Sequence, residues 1–308
     1  MNESQQYIRR CNLVVADATG NGLDLSNLRI VFNVKKSDAQ TPNTAEIRVF
    51  NLNKETAAQI KKEFTTLILQ AGYDSNYGTI FSGNIKQVRI GRENGTENYI
   101  DIAAGDGDDA YNFSVVNTTL AAGATQQDQI NSAAGSMVNR AVRQGSVTGV
   151  DSNRLPRGKV MYGMARDYLR QTAAATETSW SIQDGKIQFV KLTAVLPSQA
   201  VLLNSKSGLV GTPEQTNEGI TVKCLLNPQL KIAGRVKIDQ ENIAQAALPD
   251  TSKKDTVNKP VAIEDDGFYR LLVVEHAGDT RGTDWYSNLV CLGIDATLPP
   301  DKQVKKNG

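Results

Sequence analysis

Apolar and polar residues alternate with a period of two along much of the first hundred positions. In residues 28–35 the even positions are apolar and the odd ones mostly polar, and residues 45–49 repeat the alternation with the opposite parity. Residues 66–73, 78–90 and 97–104 are further candidates. Successive side chains of a strand point to opposite faces, so this pattern predicts half-buried strands. A helix capped by Asn53 is predicted between them at 54–64.

The period changes after residue 105. Residues 126–143 and 161–176 have helical spacing, and the second segment carries an apolar stripe of the kind that faces a core. Its members are Met161, Met164, Ala165, Tyr168 and Leu169. Asp184-Gly185 then separates two strand-like runs, which predicts a hairpin because this dipeptide readily adopts positive φ angles. Residues 106–200 therefore indicate a small α+β domain.

Strand patterns return from residue 201. Residues 220–226, 230–233 and 236–238 are predicted as short strands, and 268–277 and 285–294 as a final pair. The polar stretch 241–266 is predicted to be a mobile loop, and 296–308 a frayed tail. The predicted fold class is thus β-rich α+β, with β domains at 1–105 and 201–295 flanking the α+β domain at 106–200.

Composition restricts the function classes. The chain has 308 residues, 40% of them hydrophobic, and its 34 Lys and Arg against 33 Asp and Glu give a net charge of +1, which argues against wrapping nucleic acid. No window approaches the roughly 18 uninterrupted apolar residues of a membrane span, and the N-terminus lacks an apolar signal region, so we expect a cytosolic chain without a membrane anchor.

One local run of basic residues leaves two interpretations open, a solvated face or linker and a subunit contact. It consists of Arg140, Arg143, Arg154, Arg157 and Lys159.

Residues that carry chemistry are few. His276 is the only histidine, and the chain has no CxxC, HExxH or phosphate-loop motif. Cys11, Cys224 and Cys291 are odd in number and far apart, which favours buried free thiols. The acidic run Asp106–Asp109 suits either a turn or a calcium site, although the EF-hand spacing is missing. We therefore predict no catalytic residue, no cofactor and no metal.

The final strand pair carries a family resemblance. Residues 269–280 end in His276, Gly278 and Asp279 in a His-x-Gly-Asp pattern, and residues 285–291 begin with Trp285. This order resembles the C-terminal barrel of the central baseplate hub proteins of contractile-tailed phages. Residues 217–228, with an Asn-Pro turn, are similar to the strand that opens the same barrel. Residues 44–52, the helix after them, Tyr73 and 80–83 are similar to the first barrel of the family.

The resemblance implies a structural virion protein of the tail baseplate, assembled in the host cytoplasm. It implies a homotrimer in which each protomer contributes two tube-like β-barrels, so that six barrels form a pseudo-sixfold ring. The implied partners are the central spike, the tail tube and other baseplate proteins. DNA would pass through the lumen without specific binding.

Individual residues of the final pair have expected roles. We expect His276, Trp285, Cys291 and Cys224 in the structural core. Gly278, Asp279, Thr280 and Arg281 are expected in a turn available for subunit contact.

Two other functions stay open at this point. A module that binds carbohydrate or peptidoglycan could stack sugars on Trp180 and Trp285. A tail-associated lysin is the other, but the three predicted domains leave no room for a separate hydrolase domain.

Overall fold

The computed structural model describes residues 8–93, 97–150, 152–216, 219–238 and 267–294. The predicted loop at 241–266 and the predicted tail at 296–308 lie outside these residues. None of the described helices is long and apolar enough to cross a membrane.

The described helices and strands are given below for residues 1–105, 106–200 and 201–295 in turn. The first contains β1 (Arg9–Asp17), β2 (Gly22–Asp24), β3 (Ile30–Ser37), β4 (Thr44–Phe50), α1 (Lys54–Glu63), β5 (Phe64–Tyr73), β6 (Asn76–Glu93) and β7 (Glu97–Gly105). The second contains α2 (Asp108–Phe113), β8 (Val115–Leu120), α3 (Gln126–Met137), a 3₁₀ turn (Val138–Arg140), β9 (Arg143–Val147), β10 (Lys159–Met164), α4 (Ala165–Ala175), β11 (Thr178–Gln183) and β12 (Lys186–Lys191). The third contains β13 (Val201–Leu203), β14 (Leu209–Thr216), β15 (Gly219–Leu225), β16 (Arg235–Ile238), β17 (Phe268–Asp279) and β18 (Trp285–Gly293).

One sheet joins the first and third regions. Among the described strands its order is β14-β15-β18-β17-β3-β4-β7-β6-β5-β1-β2; in addition, β16 pairs with β17, and β13 pairs with β16. β17 makes the connection, because one edge of it pairs with β18 while the other pairs first with β16 and then with β3. The described pairing does not close into a barrel, so the two tube-like barrels stay a prediction, whereas the β-rich α+β character is observed.

Buried apolar side chains of the described residues form three clusters. The first cluster lies under β1 and β3–β7 and also takes Trp285 from β18. The second cluster spans Ala110 to Phe189, and the third spans Leu203 to Cys291. The alternation in β3 explains the first cluster, since Ile30, Phe32 and Val34 are buried while Asn33 and Lys35 are exposed.

Local chemistry accounts for several element ends. The Asn53 side chain accepts a hydrogen bond from the Thr56 amide at 2.6 Å and caps α1 as predicted. Asp184 and Gly185 have φ angles of 53° and 71°, as the predicted hairpin turn between β11 and β12 requires.

Two predicted helices are present but shorter than expected, and one predicted strand was wrong. The helix at 126–143 ends at Met137, and Arg143 begins β9 instead. The helix at 161–176 begins only at Ala165, because residues 159–164 pair with β8 and place Met161 in the second cluster from a strand. Residues 230–233 form a turn closed by the Gly234 amide bonding the Lys231 carbonyl, so no strand is present there.

Candidate functional site at the junction of the three clusters

His276 lies in the interior of the sheet, on β17 between β18 and β3. It is 1% exposed, and its Nδ1 is 2.8 Å from the Ser287 hydroxyl. That hydroxyl also accepts a hydrogen bond from the Asn227 amide at 3.2 Å. Nδ1 and the Ser287 hydroxyl thus share one hydrogen bond, in which either atom can be the donor. The histidine is held as a hydrogen-bonded buried side chain.

Burial, together with the smaller effect of the nearby ammonium groups of Lys36 and Lys231 and against the attraction of Asp184, lowers the pKa of His276 to about 3. An imidazole with this pKa is neutral at neutral pH, and it cannot act as a general acid or base there.

Acidification is expected to destabilise the fold through His276. Its pKa rises from about 3 in the folded chain to 6.5 on unfolding, so between these values the unfolded state binds the extra proton and stability falls as pH falls. Between about pH 7 and about pH 4.5, the free energy of unfolding of the wild type should fall by about 2–3 kcal/mol more than that of His276→Gln. Urea unfolding of both proteins across this range measures it, and parallel pH profiles would contradict it.

The cysteines of the third cluster are protonated and shielded. Cys224 and Cys291 are both buried free thiols, at 1% and 0% exposure. Burial raises the pKa of Cys224 to about 12 and raises the pKa of Cys291 as well. Because the thiolate is the nucleophilic form, neither residue is suited to covalent chemistry.

Trp285 and Gly278 meet at the boundary between the first and third clusters. Trp285 is 1% exposed, packs edge-on against Phe32 with ring centroids 5.4 Å apart, and donates from Nε1 to the Gly72 carbonyl at 3.2 Å. A Cβ on Gly278 would lie 2.4 Å from the Phe32 ring and 2.8 Å from the Trp285 ring. Only glycine allows the two rings to close over the strand at this point.

The predicted turn begins two residues later than expected. Gly278 and Asp279 belong to β17, with Gly278 paired to Trp285, because this ring contact and the ladder to β3 extend the strand. Asp279 accepts from Arg29 at 2.8 and 3.3 Å and from the Arg281 amide at 2.9 Å. The Thr280 hydroxyl accepts from the Ile30 amide at 2.9 Å. Of the four residues expected in a contact turn, only Arg281 projects as an exposed side chain.

A partly buried ion cluster holds the β11–β12 hairpin against the sheet, and sequence reasoning missed it. The Asp184 carboxylate lies 2.5 Å from Lys36 Nζ and 2.8 Å from Lys231 Nζ, so one hairpin residue pairs with the first and third regions together. The Lys36 side chain is 3% exposed. Although burial alone would raise the pKa of Asp184, the attraction of the two ammonium groups lowers it.

The Asp106 side chain binds the backbone of the same turn. It is 1% exposed, and its carboxylate accepts from the amides of Asp184 and Gly185 at 2.6 and 2.8 Å. Burial raises its pKa. Among the described residues no group of three or more His, Cys, Asp and Glu could hold a metal ion. The calcium alternative for 106–109 gains no support, because Asp108 pairs with Lys86 and Asp109 with Arg140.

A second buried ion pair lies at the other end of the hairpin. Arg270 on β17 is 3% exposed, pairs with Asp38 at 3.2 Å, and donates to the carbonyls of Lys191 and Leu192 at 2.9 and 2.6 Å. The Ser179 hydroxyl donates to the Asp38 carbonyl. The middle region is thus fixed to the sheet at both ends of one hairpin, an arrangement suited to a rigid structural unit.

The sugar-stacking interpretation loses the residues on which it was based. Trp180 is 0% exposed and stacks on Tyr111 inside the second cluster, and Trp285 is 1% exposed. Neither indole face is open to a saccharide ring.

Two surface recesses of the described residues are lined by polar and apolar side chains together. One of about 390 Å³ lies over the outer face of β3, β4, β6 and β7, where Arg48 binds Asp101 at 2.7 Å. Another, of about 460 Å³, lies between β1 and the turn after β17, where Arg9 donates to the carbonyls of Gly282 and Thr283. Neither recess contains a nucleophile beside a base.

Comparison with solved structures shows which fold this is. The 43 kDa tail protein of prophage MuSo2 from Shewanella oneidensis is 7% identical, with a TM-score of 0.58 over 92% of this chain and 97% of that one. A tail protein from Neisseria meningitidis MC58 is 8% identical, with a TM-score of 0.57 over 92% and 96%. The E. coli c3393 protein, described as a type VI secretion component similar to the T4 tail proteins gp27 and gp5, is 10% identical, with a TM-score of 0.52 over 86% and 73%. These likenesses show a fold shared with phage tail proteins.

Comparison by sequence identifies the family. No curated protein matches the chain. The family model described as baseplate hub gp41 matches residues 13–243, well over half of the chain. This match confirms the family that the sequence resembles, and it covers the first β region, whereas the final strand pair lies beyond the matched residues. The chain belongs to the baseplate hub gp41 family, the structural proteins of the phage tail baseplate.

Proposed function

We propose that this chain is the central hub of the baseplate, a homotrimer that joins the tail tube to the central spike. Each protomer supplies two tube-like β parts, at 1–105 and 201–295, and a middle α+β part at 106–200. Six β parts then form a pseudo-sixfold ring. The proposal assigns the chain no reaction, cofactor or metal.

The observation that carries the proposal is the pairing of β17 with β3. This ladder runs from Val273 with Ser37 to Asp279 with Val31 and sets the two β parts side by side in one sheet. A ring in which the two β parts alternate requires that the two parts of each protomer lie next to each other. The buried pairs of Asp184 and Arg270 support it, because they brace the joint from the middle part.

The outer face of the joint suits a channel wall. Asn33 donates to Glu275 across the β3–β17 ladder at 2.8 Å, and Arg48 is bound bidentately by Asp101. Cations that already have carboxylate partners offer little to DNA phosphates, so this face would let DNA pass without holding it.

The oligomeric state tests the proposal. Mass photometry and light scattering of the full chain should show a trimer, and averaged electron-microscopy images should show a threefold ring. Mixing with the spike and tube proteins of the same phage should give a complex that contains all three. A stable monomer at high concentration, together with tail particles that lack such a ring, would refute the proposal.

A further inference from the structure

An apolar sheet face of the middle part lies open to solvent. β8 and β10 form a two-stranded sheet whose inner face buries Val116 and Met161. Its outer side carries Val115, Val160 and Tyr162 at 51%, 71% and 74% exposure, and Phe113, two positions before Val115 at the end of α2, is 61% exposed. We call these four residues the middle face. Single exposed apolar residues are ordinary, but three large ones on one sheet face, with a fourth close to them in the chain, indicate a contact surface.

The sheet that carries this face also has a strand edge without a partner strand among the described residues. The Tyr168 hydroxyl accepts from the Tyr162 amide at 2.8 Å and donates to its carbonyl, which closes the free edge of β10. Within the described residues β8 has no strand partner other than β10. The middle face therefore borders an open strand edge, and such edges readily pair with another chain.

The charges beside the middle face are positive. Arg154 and Arg157 lie exposed in the segment that leads into β10, and within the described part of the chain neither has an ion pair. These are members of the basic run whose role the sequence left open. A partner surface should thus combine apolar side chains with carboxylates.

The chain itself carries such a surface at the end of the sheet. Val14 pairs directly with Asp24 on β2 and with Ile68 on β5, so the three side chains share the outer side of these strands. Ile68 is 44% exposed and Asp24 is exposed. Hydrogen bonds from Ser26 lower the pKa of Asp24 and keep its carboxylate ionised. We call Val14, Asp24 and Ile68 the edge face.

We propose that the middle face of one copy packs on the edge face of the next copy. The two faces are different, so the contact is heterologous, and repetition head to tail closes a ring when the rotation fits. The apolar side chains lose water on both sides, while Arg154 or Arg157 meets Asp24. This inference rests on the proposed trimer and names one contact between its copies, in addition to the contacts between β parts that the ring requires.

Tyr162→Asp tests the contact in the full chain, and Ile90→Asp is the control. Ile90 is 52% exposed on β6 and lies outside both faces. The Tyr162→Asp variant should raise the concentration at which half the chains assemble by roughly thirtyfold, because it introduces a charge into an apolar contact. The control should assemble like the wild type, and all three proteins should have the same melting temperature as monomers.

A charge exchange tests the pairing of the two faces. Arg157→Glu and Asp24→Lys should each weaken assembly, and the double variant should regain part of it. A wild-type trimer that Tyr162→Asp leaves intact, or equal losses in Tyr162→Asp and Ile90→Asp, would overturn the inference while the proposed hub stands. A monomeric wild type would overturn the proposed hub. Sedimentation of the wild type with anionic phosphatidylglycerol vesicles, abolished by Tyr162→Asp, would show a membrane surface and overturn the inference.

Discussion

Trp285→Ala is expected to lower the free energy of unfolding by about 3–5 kcal/mol. The indole is 1% exposed and belongs to the first cluster although β18 lies in the third region. Its removal opens a cavity beside Phe32 and leaves the Gly72 carbonyl without its donor. Because the ring lies where the two β parts meet, the loss should weaken their connection. Urea unfolding followed by circular dichroism measures the change.

Trp285→Phe is the matched control. It retains most of the ring and removes the indole N–H, so its cost should be nearer about 1–2 kcal/mol. Equal losses in the two variants would show that the hydrogen bond outweighs the packing. A loss below about 1 kcal/mol in Trp285→Ala would contradict the central position that we assign to this residue.

Asp184→Asn is expected to cost about 3 kcal/mol, because it leaves the buried ammonium of Lys36 without a counter-charge. Asparagine is nearly isosteric and tolerates the positive φ of this turn, so the change removes mainly the charge. The estimate is at the low end for a buried pair, since the Asp184 side chain keeps 31% exposure. Thermal and urea unfolding at neutral pH measure it.

Two further variants identify the cause. Asp167→Asn breaks a pair with Arg170 whose side chains are about half exposed, and it should cost less than about 1 kcal/mol. Adding Lys36→Met to Asp184→Asn should restore much of the loss, because an apolar side chain no longer needs a partner there. If the double variant is as unstable as Asp184→Asn, the unpaired charge is not the source of the loss.

The elements that sequence reasoning found are those with local causes. The alternation in residues 28–35 and 45–49 predicted β3 and β4, and Asn53 and Asp184-Gly185 predicted a cap and a turn. The apolar stripe from Met161 to Leu169 predicted a helix that begins too early, because a strand and a helix can both bury positions 161, 165 and 169. Pairing of β10 with β8 decided for a strand over its first residues.

The ion pairs and hydrogen bonds that join the β11–β12 hairpin to the sheet could not be predicted, because their partners are remote in sequence. Asp106 binds amides 78 and 79 residues away, and Asp38 lies 232 positions from Arg270. Each residue alone is an ordinary surface type, and no spacing rule connects them. The nearest signal was Lys36, a charged residue at an inward-facing position of β3. Its burial, however, is visible only in the structure.

The sequence by itself determined the β-rich class, the change of period after residue 105 and the family, because periodicity and short motifs are local properties of the chain. Only the tertiary structure decided that β17 unites the two β regions, that Trp285 packs in the first cluster, and that Arg281 is the only exposed residue among the four expected in the contact turn. These features depend on which strand edges and buried charges find each other across more than a hundred residues, and that is determined by packing of the whole chain.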